Sequence, residues 1–103
     1  MYASVTTVKS SDPDLDATAA MAAESFVGWL RDFDGYRGLL VVSSGDSGRA
    51  HILSFWDSLE DLDRSARSRS EVRDQLIETA GAELEDARVY AVVHVDGFEL
   101  PLR

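Results

Sequence analysis

Apolar positions first alternate along this chain, then recur every three or four residues, and then repeat that cycle. Tyr2–Lys9 alternates weakly and is rich in Val and Thr, a strand pattern. Ser10-Ser11-Asp12-Pro13 breaks it. Asp12 can cap a helix, Pro13 suits a first helical position, and Asp14 and Asp16 favour the positive end of the helix dipole. Leu15, Ala19, Ala22, Phe26, Leu30 and Phe33 then form one helical stripe, with Met21 and Trp29 off it. Asp34-Gly35 is a stop signal, and the helix is predicted to end near Asp32.

Two β-rich runs follow, Tyr36–Ser44 and Arg49–Asp57, joined by Gly45-Asp46-Ser47-Gly48. That spacing predicts a hairpin with glycine supplying positive φ. Ser58-Leu59-Glu60-Asp61 has a capping-box pattern and opens a short helix to about Ser68, carrying Leu59, Leu62 and Ala66. A second helical stretch, Ser70 to about Ala80, carries Val72, Leu76, Ile77 and Ala80, and Gly81 is expected to end or bend it. The last strand is predicted at Ala87–Asp96. Val89, Ala91, Val93 and Val95 share one face, and Tyr90, Val92 and His94 the other. After Gly97, Phe98, Leu100 and Leu102 alternate in an apolar tail.

Strand, helix, strand, strand, helix, strand is the split βαβ order. It predicts an α+β ferredoxin-like fold: a four-stranded antiparallel sheet with helices on one face, in a single domain over residues 1–103. His51, Leu53 and Phe55 alternate with Ala50, Ile52, Ser54 and Trp56, so both faces of that strand are largely apolar. Helices on one side cannot cover both. A homodimer packed sheet against sheet is the expected solution, with the tail reaching the partner.

Composition narrows the chemistry. Net charge is −9, which disfavours nucleic acid and anionic membranes as partners. There are no cysteines, which excludes disulfides, thiol catalysis and thiolate metal sites. No secretory signal and no apolar run of about 20 residues is present, so a cytoplasmic location is expected. Two histidines without matched carboxylates predict no metal.

Several segments together resemble the antibiotic biosynthesis monooxygenase domain of the dimeric α/β-barrel superfamily. They are Gly35-Tyr36-Arg37-Gly38, Ser54-Phe55-Trp56-Asp57-Ser58, Glu60-Asp61-Leu62 and the last strand centred on Val89-Tyr90. The resemblance spans about Val5 to Val95. It implies a homodimer and one of two chemistries. Some relatives oxidise phenolic or anthrone-like compounds without a cofactor. There the substrate anion reacts with oxygen in an apolar pocket that stabilises developing charge. Others degrade haem with an Asn, a Trp and a His. Only the Trp carries over, to Trp56. The chain has no Asn, and the stretch Ser58–Ala80 has no His, which argues against haem degradation. No cofactor is expected.

The candidate substrate-binding residues are Trp56, Tyr36, Arg37 and Tyr90, with no catalytic base assigned. Trp56 can wall a pocket or fill the core beneath the helices. Tyr36 and Tyr90 can donate to a phenolate or stand as sheet residues with wet hydroxyls. Arg37 is a candidate by its place at the strand start. Arg64, Arg67, Arg69 and Arg73 form a basic cluster, read as a solvated helix face paired with Glu60 and Asp63. His51 points to the expected interface side by alternation if Trp56 faces the helices. Two readings stand from the sequence: a small monooxygenase acting on a hydrophobic aromatic or polyketide-like compound, and a non-catalytic dimer that binds a small hydrophobic ligand or another partner.

Overall fold

The computed structural model describes residues 1–97. The elements are β1 (Tyr2–Lys9), α1 (Leu15–Leu30), β2 (Tyr36–Ser44), β3 (Arg49–Trp56), α2 (Leu59–Thr79) and β4 (Glu83–Ala91). The strands form one antiparallel sheet in the order β2-β3-β1-β4. This is the ferredoxin-like arrangement that the element order predicts. The apolar tail from Phe98 lies outside the described residues.

Three boundaries depart from the sequence reading. First, α1 begins at Leu15 and not at Pro13. The Asp12 carboxylate accepts the Asp14 N–H at 2.8 Å and the Thr18 hydroxyl, and so braces the entry from one turn upstream. These two hydrogen bonds, Thr18 first, hold the Asp12 carboxyl below its ordinary pKa.

Second, α2 is one helix and not two. Nothing between Ser68 and Ser70 breaks it, since the stretch lacks Gly and Pro. The polar residues there turn inward: Ser65 and Arg69 are buried on the same face as Leu62. Ser58 is the N-cap, and its Oγ accepts the Asp61 N–H at 3.1 Å, as the capping pattern requires.

Third, β4 runs Glu83–Ala91 in place of Ala87–Asp96. Gly81, at φ +70, closes α2 and sends the chain directly into the sheet. Glu83 pairs opposite Lys9, and Arg49 holds Glu85 in an ion pair at 3.1 Å. At the other end, Ala91 stands opposite Tyr2, where β1 begins. A strand cannot pair beyond its neighbour's end. The Val92 N–H reaches the Met1 carbonyl at 2.9 Å, and Val93, Val95 and His94 follow outside the ladder with Val93 92% exposed.

Residues opposite each other in an antiparallel pair share a face. Tyr2, Ser4, Thr6 and Val8 therefore stand with Trp56, Ser54, Ile52 and Ala50 on the helix side. Leu40, Val42, His51, Leu53, Phe55, Val5 and Tyr90 stand on the open side. The core lies on the helix side. Its main cluster is Phe26, Leu30, Tyr36, Trp56 and Leu62, and a smaller one joins Val8, Ala50 and Ile77. The predicted α1 stripe supplies Leu15, Phe26 and Leu30 to the buried set.

Gly35 ties the two halves of the core together. Its φ is +80, and a Cβ there would overlap the Asp61 carboxylate in the first turn of α2. The Asp57 N–H also bonds the Gly35 carbonyl at 2.8 Å. Gly35→Ala combines left-handed strain with that overlap, and we expect it to cost about 2–3 kcal/mol in a denaturant melt. Ser58→Ala, which removes only the cap, should cost about 1 kcal/mol.

Candidate functional site

Two features between the sheet and the helices stand out. One is a cavity of about 60 Å³. Its α1 wall is Ala19, Ala22 and Ala23, whose short side chains keep the helix from filling the space. Val8, Ala50 and Ile52 form the sheet wall, and Leu76 and Ile77 come from α2. Among the described residues, Arg73 is the one charged residue lining it, and no carboxylate or imidazole does. On the outer side of α1, Ala20, Val27, Gly28 and Leu39 line a shallower, more polar groove of about 510 Å³, which shares Ala23 and Val41 with the cavity.

The second feature is a buried polar strip along β1, β3 and α2: Ser4, Thr6, Ser54, Ser65 and Arg69. Arg69 is only 5% exposed. Its Nη1 donates to Ser4 Oγ at 2.8 Å and its Nε to Ser65 Oγ at 3.3 Å. Its guanidinium carbon stands 5.6 Å from the centre of the Trp56 ring, a cation–π distance. No carboxylate among the described residues pairs with it. Burial first, and then the neighbouring Arg73 charge, push the Arg69 guanidinium below its ordinary pKa, while Asp63 opposes them. Arg73 follows one turn later on the same helix face. Its Nη1 approaches Thr6 Oγ1 at 3.5 Å, and its Nη2 pairs with Asp74 at 3.0 Å.

The basic cluster on α2 is therefore two populations. Arg64 is exposed, with Glu60 at 3.8 Å and Asp61 at 3.1 Å, and Arg67 is exposed near Glu71 at 4.0 Å. Arg69 and Arg73 face inward, against the solvated reading. The signal was present in the spacing. Leu62, Ser65, Arg69, Val72, Arg73 and Leu76 recur at three- and four-residue steps, and the arginines lie on the apolar stripe of α2.

The four sequence candidates fall in three places. Trp56 is fully buried and faces the helices. Its indole N–H donates to Ser54 Oγ at 3.0 Å, so its hydrogen bond is spent within the core. Tyr36 is buried beside it, edge-on with ring centroids 5.8 Å apart, and Phe33 meets the indole at 6.3 Å. Arg37 pairs with Asp57, Nε to Oδ1 at 2.9 Å. Tyr90 is 49% exposed on the opposite face of the sheet. Trp56 and Tyr36 are thus brought together, and Arg37 and Tyr90 are not brought to them. None of the four lines the cavity. Trp56 bears on it through Phe26, Ile52 and Leu76, which belong both to its packing shell and to the cavity wall. Arg73 is the lining residue that the reading of its cluster as a solvated face placed elsewhere.

His51 stands on the open face, with Nδ1 2.9 Å from Thr7 Oγ1, as alternation predicts. Among the described residues, no helix is long and apolar enough to cross a membrane.

No protein-family model matches the chain, and no curated protein matches it. Solved structures do. A candidate antibiotic biosynthesis monooxygenase from Deinococcus radiodurans superposes with a TM-score of 0.62 at 19% identity, over 96% of this chain and 99% of that one. SnoaB, a cofactor-independent oxygenase from Streptomyces nogalater, gives 0.68 at 10% identity over 94% and 97%. A monooxygenase from the ActVA-Orf6 gene of Streptomyces coelicolor, in complex with nanaomycin D, gives 0.65 at 20% over 95% and 92%. At these identities the likeness is one of fold, and it extends over nearly the whole domain.

Trp56→Ala removes the ring on which α1, α2 and the sheet converge, and we expect a loss of about 3–5 kcal/mol by denaturant melt. Trp56→Phe keeps most of the packing and loses the bond to Ser54, which should cost about 1–2 kcal/mol.

Proposed function

We propose that the chain is a cofactor-independent monooxygenase of the antibiotic biosynthesis type, acting on a hydrophobic aromatic compound that enters the alanine-lined cavity. The observation that carries this reading is the cavity itself, mostly apolar in its lining, with Ser10 and Thr18 at its edge and the Arg73 guanidinium bordering it. An apolar space excludes water around a reacting anion, and the Arg73 charge stabilises negative oxygen next to it. The nearly full-length likeness to SnoaB and the ActVA-Orf6 protein supports the chemistry. In such a reaction, dioxygen converts an activated CH2 of the substrate to C=O, and its other oxygen atom leaves as water. Among the described residues no base lines the cavity, so the reading needs a substrate acidic enough to ionise beside the arginine.

The cavity is smaller than the 300–1,000 Å³ usual for small-molecule sites. A fused ring system therefore enters as α1 moves outward over its alanine face, drawing on the groove behind Ala23. The missing base favours one second reading: the same cavity binds its ligand without turnover.

We also infer a homodimer formed through the open sheet face. Leu40 and Val42, at 37% and 44% exposed, stand there with Val5, Leu53 and Phe55. A second copy covers such a patch by self-complementarity. Leu53→Glu should convert the dimer to a monomer in light scattering, and a wild-type monomer at micromolar concentration would sink the idea.

Oxygen consumption over a panel of anthrones and quinols tests the function. We expect uptake by the wild type and its loss in Ala22→Phe, which fills the cavity while the circular dichroism spectrum persists. Binding without uptake across the panel would select the non-catalytic reading.

A further inference from the structure

The charge balance of α2 goes beyond the reaction class. A guanidinium taken out of water needs a counter-charge or a full set of polar partners. In a chain of net charge −9, acidic groups are plentiful. Yet Arg69 is buried against two hydroxyls and an indole face, and Arg73 beside it meets one carboxylate at its outer edge. Two cations one turn apart repel each other, which adds to the cost of burial. A domain that needed only packing there would be served as well by apolar residues of similar length.

Resting on the cavity reading above, we propose that the ligand is an aromatic carboxylate. Its ring occupies the space under Ala19, Ala22 and Ala23, and its carboxylate sits at the inner end against Arg73 and Arg69. Arg73 lies on the cavity wall and makes the first contact. Arg69 stands behind it, fixed by Ser4 and Ser65, and supplies the second charge. The apolar walls select the ring. The paired guanidinium groups select a monoanion: Arg73 spends its Nε and Nη2 on Asp74, which leaves its Nη1 as the donor for the ligand, with the Arg69 charge behind it. Thr6, whose Oγ1 is near Arg73 Nη1, adds a hydroxyl at the same spot. A phosphate-bearing ligand fits less well, because its second charge would need a donor that the apolar walls lack.

The test compares 4-ethylbenzoate with 4-ethylbenzamide, which have nearly the same shape and differ in charge. Binding is followed by calorimetry and by the Nε–Hε NMR signals of the arginines in the whole 103-residue chain. We expect the acid to bind about tenfold more tightly at neutral pH and to shift the Arg69 and Arg73 signals. Arg73→Met and Arg69→Met should each erase most of that preference. Arg69→Met should fold with unchanged or higher thermal stability, and Arg73→Met gives an independent readout should Arg69→Met fail to fold. Equal binding of acid and amide, lost for both in Ala22→Phe, would overturn this inference and leave the cavity reading standing. Binding of neither would overturn both. A preference for the acid that survives in both arginine variants would also overturn it.

Discussion

The Trp56 indole is the contact on which the rest of the domain depends. It sits at the end of β3 with no exposed surface, and Tyr36, Phe33, Phe26, Leu30 and Leu62 gather around it. Burying a ring of that size is worth several kcal/mol and brings three layers of sequence to one point. Both helices take their height above the sheet from it. With that height fixed at one end by a large ring, the alanines further along α1 fall short of the sheet, and the space between them follows. The cavity is therefore a consequence of unequal side chains along one helix, large near Phe26 and Leu30 and small at Ala19, Ala22 and Ala23.

The same indole faces the Arg69 guanidinium, so the hydrophobic centre and the polar strip are neighbours. Satisfied polar groups inside a core fix its geometry and cost stability when a partner is missing. Here the hydroxyls of Ser4 and Ser65 provide part of the compensation and the π-face provides more. Arg69 is thus better held than a cation in bare hydrocarbon and less well held than one with a carboxylate. That intermediate position is what a receptive site requires, since a fully neutralised cation has nothing left to offer a ligand.

The fold was legible because local signals and long-range pattern agree. The hairpin at Gly45–Gly48, the cap at Ser58, the stop at Gly35 and the α1 stripe each mark an element that the structure contains. Two of the three elements that depart from the sequence reading, β4 and α2, show where local signals stop. β4 ends at Ala91 because β1 begins at Tyr2, and no letter in Val92–Asp96 encodes its neighbour's end. In α2, the serine-arginine run Arg67–Ser70 reads as surface by composition. Arg67 and Ser68 are exposed, but Arg69 lies inside because the α2 stripe continues through Ser65 to it. The site was less legible for a related reason. Aromatic residues attract attention as ligand contacts, but Trp56 and Tyr36 are spent on packing, and the space is outlined by residues that are small.

β1 pairs with β3 through Tyr2↔Trp56 and with β4 through Tyr2↔Ala91, so it is one of the two inner strands of the sheet. Its partner β3 comes from the middle of the chain, and β4 from much later in it. Contacts of such long sequence separation are slow to form, because the intervening loop must close before they repay it. During translation, β2 and β3 can zip early as a local hairpin, and β1 can join β3 next. The remaining edge of β1 stays open until Glu83–Ala91 leaves the ribosome. Lys9 at its end, and the hydroxyls of Ser4, Thr6 and Thr7 along it, make that temporary edge a poor template for pairing with other chains.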